Sequence, residues 1–385
     1  MKSNRTLIIQ LLLFIATLAT TSLSGAEWMF GRPFDLPFFK IENPLGWEHF
    51  WQGFQFSIPF LGILTVHEFG HYFAAKRHKV RVTLPYYIPL WLGFSQTIGT
   101  LGAFIRIKEF IRSRQKYFDI GVAGPLAGFV VAVGVLWYGF ANLPTLDYIF
   151  KIHPEYQKFG MGFARVVYSG QNMSGNILLG DNLLFAFFKN YVADPTRLPP
   201  PQEIMHYPLI LAGYLALFFT SLNLIPIGQL DGGHVLYGLI GGKNFRVVAP
   251  VLFFIFITYA GLGTYRPEEF ATSDNEAFWN KMGSLALYIL FLQICFSRIT
   301  EDNPLTSWML ALLSVAVQFG LILLFPTWEG YSGFLVFGFL LGRILGVHHP
   351  PTEDTQPLNR SRQIVGWLAL LIFVLCFSPK PFIVL

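Results

Sequence analysis

Charge is what this chain has least of: 13% of its 385 residues are Asp, Glu, Lys or Arg, against roughly 25% in an ordinary soluble domain. That shortage excludes a surface wetted on all sides. Cysteine is almost absent. The two present, Cys295 and Cys376, both lie in apolar runs without a CxxC or Cys-His spacing, which excludes a disulfide framework and a thiolate zinc site. Net charge is a modest +5, and no basic block is interleaved with aromatics, so nucleic acid is not a partner. Nor is there an internal repeat of the kind that marks many secondary transporters. What the chain has instead is apolar bulk, with 53% hydrophobic and 17% aromatic residues and a mean hydropathy of +0.50. Such a composition implies a polytopic membrane protein with the lipid bilayer as its main surroundings.

One run stands out. Leu61-Gly-Ile-Leu-Thr-Val-His67-Glu68-Phe-Gly-His71-Tyr-Phe-Ala-Ala-Lys76 puts three ionisable side chains in a stretch apolar enough to cross a bilayer, where each is costly unless compensated. On a helix His67 and His71, four residues apart, lie on one face, as two imidazoles must to grip one zinc ion. Glu68 stands beside them as a possible general base.

Taken in order, Lys2 and Arg5 precede an apolar run at Leu7–Leu23, about the ~20 residues a span needs. Its end, Ser-Leu-Ser-Gly-Ala26, also has the form of a signal-peptidase site, so a retained helix and a cleaved leader are both open. Residues 27–50 read as an external interfacial loop. The HEFGH run, Phe54–Ala75, ends in Lys76-Arg77-His78-Lys79-Val80-Arg81, and such a basic cluster marks the cytoplasmic side. Residues 82–105 are apolar but broken by Pro85, Pro89, Gly93, Gly99 and Gly102, and basic residues flank both ends. The segment is therefore expected to dip in and return, as a short β-hairpin or a loop, with Thr100–Lys108 strand-like. Further spans are expected at Phe118–Ala141, Pro208–Ile225, Val247–Leu262, Met282–Phe296, Leu305–Phe325, Gly333–Leu345 and Ile364–Val384. The whole is an all-α polytopic protein of about nine transmembrane helices with the N-terminus cytoplasmic. The metal site is then near the cytoplasmic face, in what we expect to be a bacterial cytoplasmic membrane.

A hydrolytic zinc site keeps three protein ligands and one open position. Asp231, in Asn223-Leu-Ile-Pro226-Ile-Gly228-Gln229-Leu-Asp231-Gly232-Gly233-His234, is the carboxylate of a membrane-buried stretch and reaches the same depth as His71 if 82–105 is re-entrant. His234 is the rival ligand. Asn223 and Gly102 are candidate substrate contacts, Pro226 and Gly228 should break the helix, and the small residues Ala123-Gly-Pro-Leu-Ala-Gly128 suit close helix packing. His348 and His349 read as a solvated helix end. A transporter using the His/Glu/Asp cluster as an ion site is the competing reading, although no string of polar residues recurs on several spans.

Together, His67-Glu-Phe-Gly-His71, Gly99-Thr-Leu-Gly-Ala, Ala123-Gly-Pro-Leu-Ala-Gly and Asn223 through Asp231-Gly-Gly resemble, in order, the motifs of the site-2 protease family of intramembrane zinc metalloproteases, in its plastid and bacterial branch. The resemblance implies one Zn2+ per chain on His67, His71 and Asp231, Glu68 as catalytic base, and transmembrane proteins as substrates. It divides the chain into an N-terminal helix and loop at 1–50, a catalytic core at 51–262 and accessory helices at 263–385. The chain departs from many members at Gly228-Gln229, where they carry a second proline, and has no room for the PDZ domain some of them hold in the external loop.

Overall fold

The computed structural model describes residues 2–36, 41, 43–93, 97–168, 177–271, 274–300 and 303–384, without the side chains of 2 and 3. The chain forms two compact units: residues 1–111, 122–223 and 371–385, and residues 112–121 and 224–370.

In the first unit α1 (Lys2–Phe30) and α2 (Phe54–Arg77) pack closely. Small residues make this possible, because a β-carbon at Gly53 would overlap the Ser22 carbonyl and the Ser22 and Ser57 hydroxyls bond at 2.8 Å. The expected hairpin forms, as β1 (Tyr86–Leu90) and antiparallel β2 (Gly99–Phe104). It is carried toward the basic flanks by Thr83 N–H to the Arg106 carbonyl and Lys108 N–H to that of Arg81. Residues 94–96 at its tip lie outside the described residues. α1 grips the hairpin: Thr20 Oγ1 donates to the Gly99 carbonyl at 2.7 Å, and Gly99, at φ +86°, has no room for a side chain against Thr20 and Thr21. α3 (Arg114–Ala141) begins in the other unit, and from Val122 it packs here.

The 142–206 region holds short helices α4 (Ile149–Ile152), α5 (Phe163–Val167) and α6 (Leu183–Tyr191), strand β3 (Ile177–Leu179) and a 3₁₀ turn at Pro201–His206. α7 (Pro208–Asn223) follows and lies against α2, with Phe60 and Phe219 5.9 Å apart. Tyr214, fully buried, ties it to the chain end by donating toward the carbonyls of Gly180 and Pro381.

The second unit holds α8 (Asp231–Ala260), interrupted at Gly241 (φ +78°), α9 (Asn275–Phe296), α10 (Pro304–Leu324), α11 (Gly333–Phe339, continued by a π turn to Leu345) and most of α12 (Arg360–Cys376). A buried polar knot joins α8, α9 and α10. In it the Thr258 hydroxyl meets Ser314 at 2.9 Å, while Gln318 Nε2 donates to the Thr258 carbonyl at 3.0 Å and to Tyr288 Oη at 2.9 Å. Arg362 makes a two-pronged pair with Asp119, at 2.7 and 2.8 Å.

Each of the nine expected spans falls mainly in a helix, and the protein is a polytopic, mostly helical membrane protein. Among the described residues five helices are long and apolar enough to cross a membrane: Asn4–Phe30, α3, α8, α9 and α10. α7 and Gly333–Leu345 are shorter, and α2 is diluted by its own His, Glu and terminal bases. Three expectations need correction. The last run does not stay helical to Val384, because α12 stops at Cys376 and the Pro379–Pro381 segment leads into β4 (Phe382–Val384), paired with β3. α8 begins at Asp231 rather than near Val247. His349 is not a solvated end: its ring stacks on Tyr237 at 3.8 Å and bonds His234.

Candidate metal centre

α2 delivers the histidines as its period requires. His67, Glu68 and His71 are buried, at 5%, 4% and 7% exposure, and the two Nε2 atoms stand 3.0 Å apart. Two nitrogens ~2.0–2.1 Å from a tetrahedral zinc stand about 3.3 Å apart, so the pair fits one shared cation within a few tenths of an ångström. Asn223, last residue of α7, brings its Nδ2 to 3.5 Å from His67 Nε2.

The neighbouring helix makes room for these rings. A β-carbon at Gly128 would lie 3.0 Å from Cβ of His67, and one at Gly70, in the middle of HEFGH, 2.6 Å from the Ala123 carbonyl. α2 and α3 therefore cross where only glycine permits contact, and the Ala123–Gly128 motif serves packing against the ligand helix itself. A small pocket of ≈ 20 Å³ opens beside His67, lined by Phe60, Leu64, Gly102, Thr220 and Asn223 among others. That is enough for about one water molecule. Gly102 has φ +106° and open space where a side chain would be. Both residues expected to touch substrate thus border the pocket that His67 borders.

In the second unit Asp231 opens α8 rather than closing the preceding helix, which ends at Asn223. Pro226 and Gly228 do interrupt the chain, Gly228 at φ +62°. The glycines after the aspartate let the first turn of α8 press onto that interruption: a β-carbon at Gly232 would overlap the Leu224 carbonyl, and one at Gly233 would lie 2.7 Å from the Ile227 carbonyl. A carboxylate in a first helical turn is also favoured by the helix dipole. His234 is committed elsewhere through Nδ1, 2.8 Å from His349 Nε2, with its ring on Tyr117. Since His349 Nδ1 faces the Pro350 carbonyl at 2.7 Å it must donate there, so His234 is the donor between the two rings. Sequence reading missed this pairing, whose members lie 115 residues apart.

Comparison with known proteins agrees with the motifs. A family model described as Peptidase family M50 matches residues 55–262. The probable zinc metalloprotease EGY1, chloroplastic, of Arabidopsis thaliana is 27% identical over 340 residues, 84% of this chain and 53% of that protein. The probable zinc metalloprotease EGY2, chloroplastic, of Oryza sativa subsp. indica is 29% identical over 183 residues, 47% of this chain and 28% of that protein. The chain spans about half the length, or less, of these curated relatives. No solved structure matches. A buried HEFGH pair, the glycine crossing that seats it and a family match over more than half the chain lead to one statement: this chain belongs to peptidase family M50, the site-2 protease family.

Proposed function

We propose that the chain is an intramembrane zinc metalloendopeptidase that hydrolyses peptide bonds within or beside transmembrane segments of other membrane proteins. The buried His67–His71 pair, with Nε2 atoms 3.0 Å apart and Glu68 between them in sequence, carries the reading. Asp231 is the third ligand in this proposal, since a hydrolytic zinc needs one more protein donor. It is supported by its place in the family's motif order and at the first turn of a long apolar helix. Residues 51–262 are the catalytic core and 263–385 accessory. The basic residues following His71 support a site on the cytoplasmic side, and a bacterial cytoplasmic membrane is the proposed setting, while the curated relatives are named as chloroplastic.

Zinc bound there would lower the pKa of a water toward neutrality and polarise the scissile carbonyl. Glu68 would act as the general base, taking a proton from the attacking water and passing it to the leaving amine. The Asn223 amide, at the pocket that His67 lines, would donate to the substrate carbonyl as it gains charge. A substrate helix hides its peptide bonds, so it must unwind. β2, with Gly102 at the pocket, offers the unwound strand backbone to pair with.

Glu68→Gln is expected to abolish cleavage of membrane peptides in cells and in reconstituted vesicles while zinc stays bound. Normal turnover in that variant would remove the proposed mechanism.

A further inference from the structure

A second group of metal-binding side chains lies within the first unit. His153 follows α4, and Glu203 and His206 sit on the 3₁₀ turn that leads into α7. Their ligand atoms lie within 4.8 Å of one another. His206 Nε2 stands 3.4 Å from Glu203 Oε2 and 3.4 Å from His153 Nε2, which is 3.9 Å from the same Oε2. Side-chain exposure is 1% for Glu203, 6% for His206 and 23% for His153.

The hydrogen-bond pattern decides what these atoms face. His206 Nδ1 lies 2.8 Å from the Met29 carbonyl, which can only accept, so Nδ1 carries the proton. His153 Nδ1 lies 3.2 Å from Glu155 Oε1 and donates to it in the same way. In the neutral rings both Nε2 atoms are therefore bare acceptors. Tyr168 donates its hydroxyl to Glu203 Oε1, while Oε2 is buried and has no hydrogen-bond partner. The two bare ring nitrogens thus face the buried, unpartnered Oε2, in surroundings that make unpaired polar atoms costly.

Separation distinguishes the remaining choices. Hydrogen bonds from N–H to oxygen run about 2.7–3.2 Å, and these contacts are longer. Ligand atoms ~2.0–2.2 Å from one zinc at tetrahedral angles stand roughly 3.3–3.6 Å apart, which two of the three separations match. The outer contacts also have the form a metal site needs, with a carbonyl and a carboxylate each orienting an imidazole.

We infer that His153, Glu203 and His206 bind a second divalent cation of the zinc class, distinct from the His67–His71 centre. The 16-residue α7 separates them, with His206 just before its start and Asn223, beside His67, at its end, or about 24 Å of helix. The cation would clasp three segments far apart in sequence: the end of α1 through the Met29 carbonyl, the turn after α4, and the entry to α7. Sequence reading passed over the set because its members have no motif spacing, His153 being 53 residues from His206.

The test is the zinc content of the full chain purified in detergent, loaded with zinc and dialysed. The expected content is two per chain for wild type, one for His67→Ala/His71→Ala and one for Glu203→Gln. His153→Ala, at the most exposed ligand, should also give one and guards against misfolding of the Glu203 variant. X-ray absorption on His67→Ala/His71→Ala should show two nitrogen ligands and at least one oxygen. If that variant holds no zinc, or if Glu203→Gln and His153→Ala both keep the wild-type content, the inference is overturned. A wild type with one zinc, lost with His67 and His71, overturns it too but leaves the proposed catalytic centre standing. A single zinc lost only with Glu203 does the reverse.

Discussion

Gly124 leaves room for the imidazole of His71: a β-carbon there would stand 2.5 Å from both Cδ2 and Cε1 of that ring. In an exposed helix, alanine would be favoured over glycine by about 1 kcal/mol. Here the same methyl group must displace the His71 ring, a proposed zinc ligand, and the steric conflict outweighs the propensity. Gly124→Ala is therefore expected to lower zinc affinity on the order of 10–100-fold, the usual effect of disturbing ligand orientation. Zinc titration of the purified variant, with its folding checked by circular dichroism, measures this; unchanged affinity would mean that α3 moves aside freely.

Removing the catalytic metal should separate chemistry from fold. A strong chelator is expected to stop peptide cleavage, and restored zinc to recover it, whereas His67→Ala should stay inactive at any zinc concentration. Its buried Nε2 lies 3.0 Å from that of His71, and one imidazole cannot replace two donors. Cleavage by His67→Ala at the wild-type rate would show that the hydrolytic site lies elsewhere.

Asn223 sits at the rim of the pocket beside His67. If its amide donates to the carbonyl oxygen as charge builds, Asn223→Ala should lower kcat by roughly 10²–10³ while KM changes little. Zinc content should not change. A rise in KM alone would make Asn223 a binding residue instead.

Acid should weaken the second unit through His349. Burial, and beside it the neighbouring His234, push this ring from 6.5 down to about 3. Between those values the unfolded chain binds a proton that the folded chain does not, so stability rises with pH across the window and is lost as pH falls below about 6.5. His349→Phe retains an aromatic ring to stack on Tyr237 and removes the titration. Its melting temperature should therefore fall less than that of wild type between pH 7 and pH 4.5, and equal losses would assign the acid sensitivity to other groups.

Much of this site was legible because its signals are local. Four residues bring His67 and His71 to one face of any α-helix, whatever surrounds it. Basic residues on both sides of 82–105 forced the segment to return, and the hairpin of β1 and β2 is how it does so. Asp231 stood out in the sequence as a carboxylate in an apolar stretch, and the fold places it at the start of α8. A glycine pair after it looks like a stop, whereas here Gly232 and Gly233 let a helix begin against the turn at 224–228.

Composition and short-range spacing thus determined that this is a membrane protein with two histidines on one face of an apolar helix, since burial cost and helical period act residue by residue. The fold decided what depends on surfaces meeting across long stretches of chain. Gly70 touches the Ala123 carbonyl, Thr20 holds Gly99, and His153 meets Glu203 and His206. None of these follows from a local pattern, because each arises only when separate helices and loops are packed so closely that a missing side chain or a shared lone pair matters.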